Sequence, residues 1–169
     1  MAILVLLLAA AWVFWPALGG GKSFYYRDTP NYYYPEALLT SRAWLDGEMP
    51  LWDPRIAMGY PYHADPHSMV FYPLAALFMV LPFPLAYNAF VALHVALLGV
   101  FTFLLLRRWD LSPPAAALGG IALMFCGFTM SCTSLTTLLR GLCWTPLAML
   151  AFDCWLEKES CRCLAAAAW

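Results

Sequence analysis

Charge is what this sequence has least of. Charged residues make up 11% of its 169 positions and hydrophobic ones 63%, whereas a soluble domain of this size carries about a quarter charged residues. That shortage excludes an ordinary water-soluble globule and points to lipid as the solvent. Neither sign dominates: the formal net charge is -1, and no basic stripe runs along the chain, so nucleic acid drops out as a partner. Cysteine is absent from the long polar segment that would meet an oxidising compartment. The six cysteines (Cys126, Cys132, Cys143, Cys154, Cys161, Cys163) come late, mostly in apolar stretches, which excludes a disulfide framework and leaves them as small apolar fillers. Cys161 and Cys163 form a Cys-x-Cys, but nothing nearby completes four zinc ligands. Also missing is the internal repeat on which many transporters are built.

What is present is a succession of apolar runs. Residues 2–18 hold no charge and approach the ~20 residues a helix needs to cross ~30 Å of hydrocarbon. A cleaved signal peptide is the competing reading of that run. The absence of Lys or Arg at its start, together with Trp12 and Trp15, favours a retained membrane anchor. Residues 19–68 are rich in Tyr, Pro and charge and belong outside the hydrocarbon. Within them residues 30–45 read as a short helix with Ala37, Leu38, Leu39, Ala43, Trp44 and Leu45 on its apolar face, lying along the membrane surface. The prolines of residues 49–68 forbid a long helix or a central strand. Residues 69–81 are apolar but short and read as an interfacial or re-entrant helix. Spans follow at about 85–106, 115–131 and 142–156, and a further apolar run begins at 164. The expected architecture is therefore all-α: polytopic transmembrane helices with a long first outer loop containing short interfacial helices. The chain reads as the N-terminal portion of a longer membrane domain.

Orientation follows from the excess of Lys and Arg on the cytoplasmic side of short loops. Arg107 and Arg108 go to the cytoplasm. Residues 19–68 then face outward, and the N-terminus is cytoplasmic, provided that residues 69–81 do not cross.

Several residues in the outer loop have chemistry to offer. Asp28 sits among Arg27 and the rings of Tyr25, Tyr26, Tyr32, Tyr33 and Tyr34, where partial desolvation would raise its pKa toward that of a working general base; a helix N-cap is the plainer use of the same position. His63, Asp65 and His67 alternate, and in an extended segment would project to one side as ligands for a divalent metal ion. Lys22, Arg27, Arg42 and Arg55 are candidates for a phosphate or an anionic headgroup, with Arg27 and Arg55 the stronger pair. His94 lies inside a span, where a neutral imidazole shared between helices is the expected state.

Longer strings carry a resemblance. Asp28-x-x-x-x-Tyr33-x-Pro35, Leu45-x-Gly47-Glu48-Met49-Pro50-Leu51-Trp52-Asp53-Pro54, and Gly59-Tyr60-Pro61-x-x-Ala64-Asp65-Pro66-x-Ser68-x-x-Phe71-Tyr72-Pro73-Leu74 resemble the N-terminal part of the bacterial YfhO family, as do Gly127-Phe128 and Trp144-x-Pro146-Leu147 further on. That family is similar to the GT-C class of membrane glycosyltransferases. The resemblance implies a cell-envelope enzyme that takes sugar from a polyprenyl-phosphate donor, with Asp28 as catalytic base and Asp65 as a second acid. It also implies Arg27, Arg55 and Tyr33 as contacts to the lipid-linked sugar, and the bilayer as the setting. The alternative is a non-catalytic membrane protein that binds lipid-linked glycan or a partner through the same loop.

Overall fold

The computed structural model describes residues 1–158. The further run from 164, with Cys161 and Cys163, lies outside the described residues. Eight α-helices follow one another: α1 Ala2–Val13, α2 Trp15–Leu18, α3 Tyr34–Leu45, α4 Leu77–Val80, α5 Phe83–Arg108, α6 Pro113–Phe125, α7 Gly127–Cys132 and α8 Thr136–Lys158. Among the described residues there is no strand; a lone antiparallel bridge joins Asp53 to Tyr60. The chain is thus all-α, in two compact units. One comprises Met1–Phe14, Ala92–Thr133 and the chain from Leu138; the other comprises Trp15–Val91 and Ser134–Thr137.

In the first unit the packing is that of apolar helices brought close by glycine. α1 packs on α6. A Cβ on Gly120 would lie 2.9 Å from the Gly99 carbonyl oxygen, and one on Gly99 would lie 2.1 Å from Met124 Sδ, so α5 and α6 approach at small residues. Among the described residues α5 alone is long and apolar enough to cross a membrane; its 26 residues rise about 39 Å.

Two of the other expected spans are segmented, each for a local reason. The run at 2–18 divides at Phe14. Pro16 follows, and its ring and missing N–H disturb the preceding turn. The run at 115–131 divides at Cys126, whose φ of -66° and ψ of 154° are extended. The break frees the Leu123 carbonyl, and the Thr129 hydroxyl takes it over at 2.6 Å, the kind of repair that makes broken helices tolerable out of water. α8 begins six residues before the expected span and runs through Pro146.

The second unit replaces two simple expectations. The helix expected over 30–45 starts as a π-turn, Thr29–Tyr33, in which the Tyr34 N–H donates to the Thr29 carbonyl before α3 begins. Pro30 and Pro35 explain the wider turn, because neither supplies the N–H an α-helical start would use. The buried face of α3 is also shifted: Ala37 is buried as expected, but its companions are Glu36, Thr40 and Ser41, while Leu38 and Leu39 are half-exposed and Leu45 is exposed. Over 69–81 the helix expected is reduced to a 3-10 turn, Pro73–Ala76, and α4. Met69 has φ 58° and Tyr72 is extended ahead of Pro73, so no helix can begin earlier. Eight such residues rise about 14 Å, too little to cross hydrocarbon. Asn88, buried on α5, ties the chain entering this unit in place. Its side-chain amide donates to the carbonyls of Ala17 at 2.7 Å and Lys22 at 2.8 Å, and its Oδ1 accepts from the Phe24 N–H at 3.3 Å.

Candidate functional site

The second unit is organised around Tyr62, which the short 3-10 turn Tyr62–Ala64 drives beneath α3. Its hydroxyl donates to the Glu36 carbonyl at 2.8 Å and meets Thr40 Oγ1 at 2.9 Å, and Thr40 Oγ1 donates to the Ser68 carbonyl at 2.5 Å. Both hydroxyl protons are thus directed at main-chain carbonyls of other segments, inside a buried core. Burial pushes the Tyr62 phenol well above its usual pKa. Tyrosine thus acts here as a fixed donor that staples the loop to the helix.

Three carboxyl groups gather around this staple. Glu36 is only 3% exposed, and its Oε2 has no hydrogen-bond partner among the described residues. Burial raises its pKa, partly offset by the neighbouring Tyr62 hydroxyl, and the charges of Asp65 and Asp53 raise it further. Asp53 is the opposite case. Its side chain is fully buried, yet it accepts from Arg55 Nε at 2.8 Å, Arg55 Nη2 at 2.8 Å and the Arg55 backbone N–H at 2.9 Å. Those bonds hold its pKa below the usual carboxylate range. Asp65 is half-buried. Its Oδ1 accepts from the His67 N–H at 2.8 Å, which fixes the turn, and its Oδ2 accepts from the Tyr32 hydroxyl at 3.3 Å. Burial first, and then the charge of Asp65, push Tyr32 up to about 12; burial and the charge of Glu36 do the same to Tyr60.

The sequence candidates separate into those that join this cluster and those that stay outside it. Asp65 and Arg55 belong to it, and Tyr33 lies beside it, its ring 5.4 Å from that of Tyr32 and 5.6 Å from that of His67. Asp28 and Arg27 are exposed. Asp28 occupies the N-cap position of the π-turn but makes no side-chain capping bond, and Arg27 has φ 51°. The metal triad does not assemble. The His63 Nδ1–H donates to the Leu51 carbonyl at 3.1 Å, while His67 Nδ1 meets Thr137 Oγ1 at 2.6 Å. The alternation it required is lost because His63 sits in a 3-10 turn and only the residue after that turn is extended. Among the described residues no three His, Cys, Asp or Glu side chains converge as metal ligands. Glu36, Tyr60 and Tyr62 were not singled out by the sequence; a Glu between Pro35 and Ala37 in the first turn of a helix carries no signal that it will be buried.

Beside the cluster lies an open cleft of about 370 Å³. One wall is a stripe of α3, Pro35, Leu38, Leu39, Arg42 and Ala43, spaced as residues i, i+3, i+4, i+7 and i+8 must be to share a face. The other wall is Trp52 to Arg55. Trp52 is placed by Gly59, whose φ of 107° and missing Cβ let the indole lie where a Cβ would stand 2.5 Å from its nitrogen. Ala57 and Met58 share the left-handed conformation, at φ 52° and 63°. Each such non-glycine residue costs about 1–2 kcal/mol, which the Asp53–Tyr60 bridge and the Arg55 fork offset. Compared with known protein families, curated proteins and solved structures, the chain finds no match in any of the three.

Proposed function

We propose that this is a multi-pass cell-membrane protein of the GT-C glycosyltransferase type, which transfers a sugar from a polyprenyl-phosphate donor to an extracytoplasmic hydroxyl acceptor. The reading takes α1, α6 with α7, and α8 as membrane elements alongside α5. Exposed Leu4, Leu8 and Trp12 on α1, and Met149, Phe152 and Leu156 on α8, support it, since such side chains are at home in lipid. Arg107 and Arg108 would face the cytoplasm and the tyrosine-rich unit the exterior. The resemblance to the YfhO family supplies the reaction class.

In that reaction the acceptor oxygen attacks the anomeric carbon as the bond from that carbon to the phosphate oxygen breaks. The bonding pair leaves with the polyprenyl phosphate, configuration inverts, and a carboxylate takes the acceptor proton. The observation that carries the proposal is Asp65, held by the His67 N–H and the Tyr32 hydroxyl among the rings of Tyr32, Tyr33 and His67. An oriented carboxylate between aromatic faces suits a sugar hydroxyl. Asp65 is therefore the favoured base and exposed Asp28 the second acid, while Arg27 would meet the departing phosphate, Arg55 having committed its Nε and Nη2 to Asp53. A divalent ion does not fit His63, Asp65 and His67 as they stand.

The test is transfer of labelled sugar from a panel of polyprenyl-phosphate donors in membranes carrying the protein, its Asp65→Asn variant or its Asp28→Asn variant. Asp65→Asn is expected to lose about 10²–10⁴-fold, with Asp28→Asn affected less. Unchanged transfer by Asp65→Asn, with expression matched, removes Asp65 from the mechanism. No transfer by the parent on any donor rejects the enzyme and leaves a glycan-binding loop.

A further inference from the structure

The cleft between α3 and the Trp52–Arg55 wall has a composition that the transfer reaction does not call for. Its apolar stripe, Leu38, Leu39 and Ala43, is the face that an amphipathic helix ordinarily buries, yet here the opposite face of α3 is buried. Arg42 stands in that stripe between Leu39 and Ala43, exposed and, among the described residues, with no partner for its guanidinium. Arg55 faces it, 57% exposed. Its Nε and Nη2 are spent on Asp53, which leaves the Nη1 hydrogens for another acceptor. Asp53 is the single acid of the lining, and Arg55 neutralises it, so the cleft keeps one uncompensated positive charge. The segments that carry the two walls also expose Leu45 at the end of α3 and, in the loop, Met49, Leu51, Ile56 and, completely, Met58. Single apolar residues on a surface mean little, but five within fourteen positions favour a contact with something apolar.

We infer that this cleft binds the head of a membrane glycerophospholipid, with the phosphate between Arg42 and Arg55 and the glycerol and first acyl carbons on Leu38, Leu39 and the Trp52 ring. Charge complementarity selects an anion, and the apolar wall and rim require that the anion carry a hydrocarbon. Arginine suits the phosphate because its planar fork donates two hydrogen bonds to adjacent oxygens. The left-handed Ala57 and Met58 gain a use in this arrangement, since they turn the loop so that Ile56 and Met58 face outward while Trp52 stays in the cleft. The inference does not depend on the glycosyltransferase reading.

Native mass spectrometry of the full chain from detergent micelles tests it, with phosphatidylglycerol, diacylglycerol or an isoprenoid phosphate added in turn. The parent is expected to retain phosphatidylglycerol over diacylglycerol. Arg42→Gln, at an exposed position where folding is not at risk, should lower that retention about tenfold, the loss of one charge-assisted hydrogen bond. Trp52→Ala should lower it too, and Arg107→Gln should leave it unchanged. Equal retention of diacylglycerol would overturn the phosphate assignment, and full retention by Arg42→Gln would overturn the location. Retention of the isoprenoid phosphate with exclusion of phosphatidylglycerol would give the cleft to a lipid-linked donor and reject the glycerophospholipid.

Discussion

The two units satisfy their hydroxyl and amide groups in opposite ways. In the helical unit hydroxyls turn back on their own helices: Thr102 donates to the Leu98 carbonyl at 2.7 Å, Ser131 to Gly127 at 2.8 Å and Thr145 to Gly141 at 2.8 Å. Such bonds require nothing from the rest of the fold. In the tyrosine-rich unit the bonds run between distant segments, from Tyr62 to Glu36, from Thr40 to Ser68 and from Asn88 to Ala17. Glycines follow the same division. Gly99 and Gly120 admit a neighbouring helix, whereas Gly59 admits an indole ring. One unit is held by shape and the other by a polar network, so they should fail under different insults.

The largest effect is expected at Tyr62. Tyr62→Ala removes a fully buried ring and the staple to Glu36 and Thr40, at a cost of about 3–5 kcal/mol; Tyr62→Phe, which keeps the ring, should cost about 1–3 kcal/mol. Limited proteolysis should then cut within 49–68 while leaving α5 intact. Equal protection of the loop in parent and Tyr62→Ala would mean that the network does not hold this unit. In the helical unit the counterpart is Gly120→Ala. Its Cβ would meet a backbone carbonyl that cannot swing aside, whereas in Gly99→Ala the obstacle is the end of a methionine. Gly120→Ala should therefore lose about 1–3 kcal/mol and Gly99→Ala less, an order readable from thermal unfolding in micelles. The reverse order would contradict the packing of α5 on α6.

How much of this division was legible in the sequence depends on the kind of interaction. The apolar runs announced the helices, because hydrocarbon-length stretches without charge have few other uses, and α5 extends only two residues beyond the expected 85–106 at each end. Proline marked the loop correctly over residues 49–68, but Pro16 and Pro73 lie inside the helices expected over 2–18 and 69–81, and the breaks beside them were not foreseen. The buried face of α3 was not legible: its apolar residues predicted burial of Leu38 and Leu39, but the polar face had partners waiting in Tyr62 and Ser68, some 22 to 28 residues away. No local pattern encodes a partner at that distance. Asp65 was visible as a candidate, whereas Glu36 became one only when the loop closed over it. The His63, Asp65 and His67 alternation failed for the same reason in reverse, because a period of two has meaning only where the backbone is extended.

A smaller effect separates Glu36 from Asp53 by pH. Burial raises the Glu36 pKa in the folded state, so its folded form holds the proton to higher pH than the unfolded chain. Stability from this group is complete below about pH 4 and declines as pH rises through the folded value. Asp53, depressed by Arg55, contributes stability above about pH 4 that is lost as pH falls through its own folded value. Glu36→Gln should accordingly raise the unfolding midpoint of the tyrosine-rich unit at pH 7 by about 2–4 °C, with the gain vanishing below about pH 4. A variant less stable than the parent at pH 7 would show that the Glu36 charge has a partner and is not an uncompensated cost.

The smallest effect belongs to the one ion-pair cluster of the helical unit among the described residues. Arg108 Nε lies 3.2 Å from Asp153 Oδ2, and its Nη2 pairs with Glu157, joining α5 to α8. Arg108 and Asp153 are about a third exposed and Glu157 more than half, so solvent screens the attraction and Arg108→Gln should leave the thermal midpoint close to that of the parent. A double-mutant cycle with Asp153→Asn should return a weak coupling that shrinks as salt is raised. A strong coupling insensitive to salt would place this cluster out of reach of water, and the helical unit would then depend on a polar contact much as the tyrosine-rich unit does.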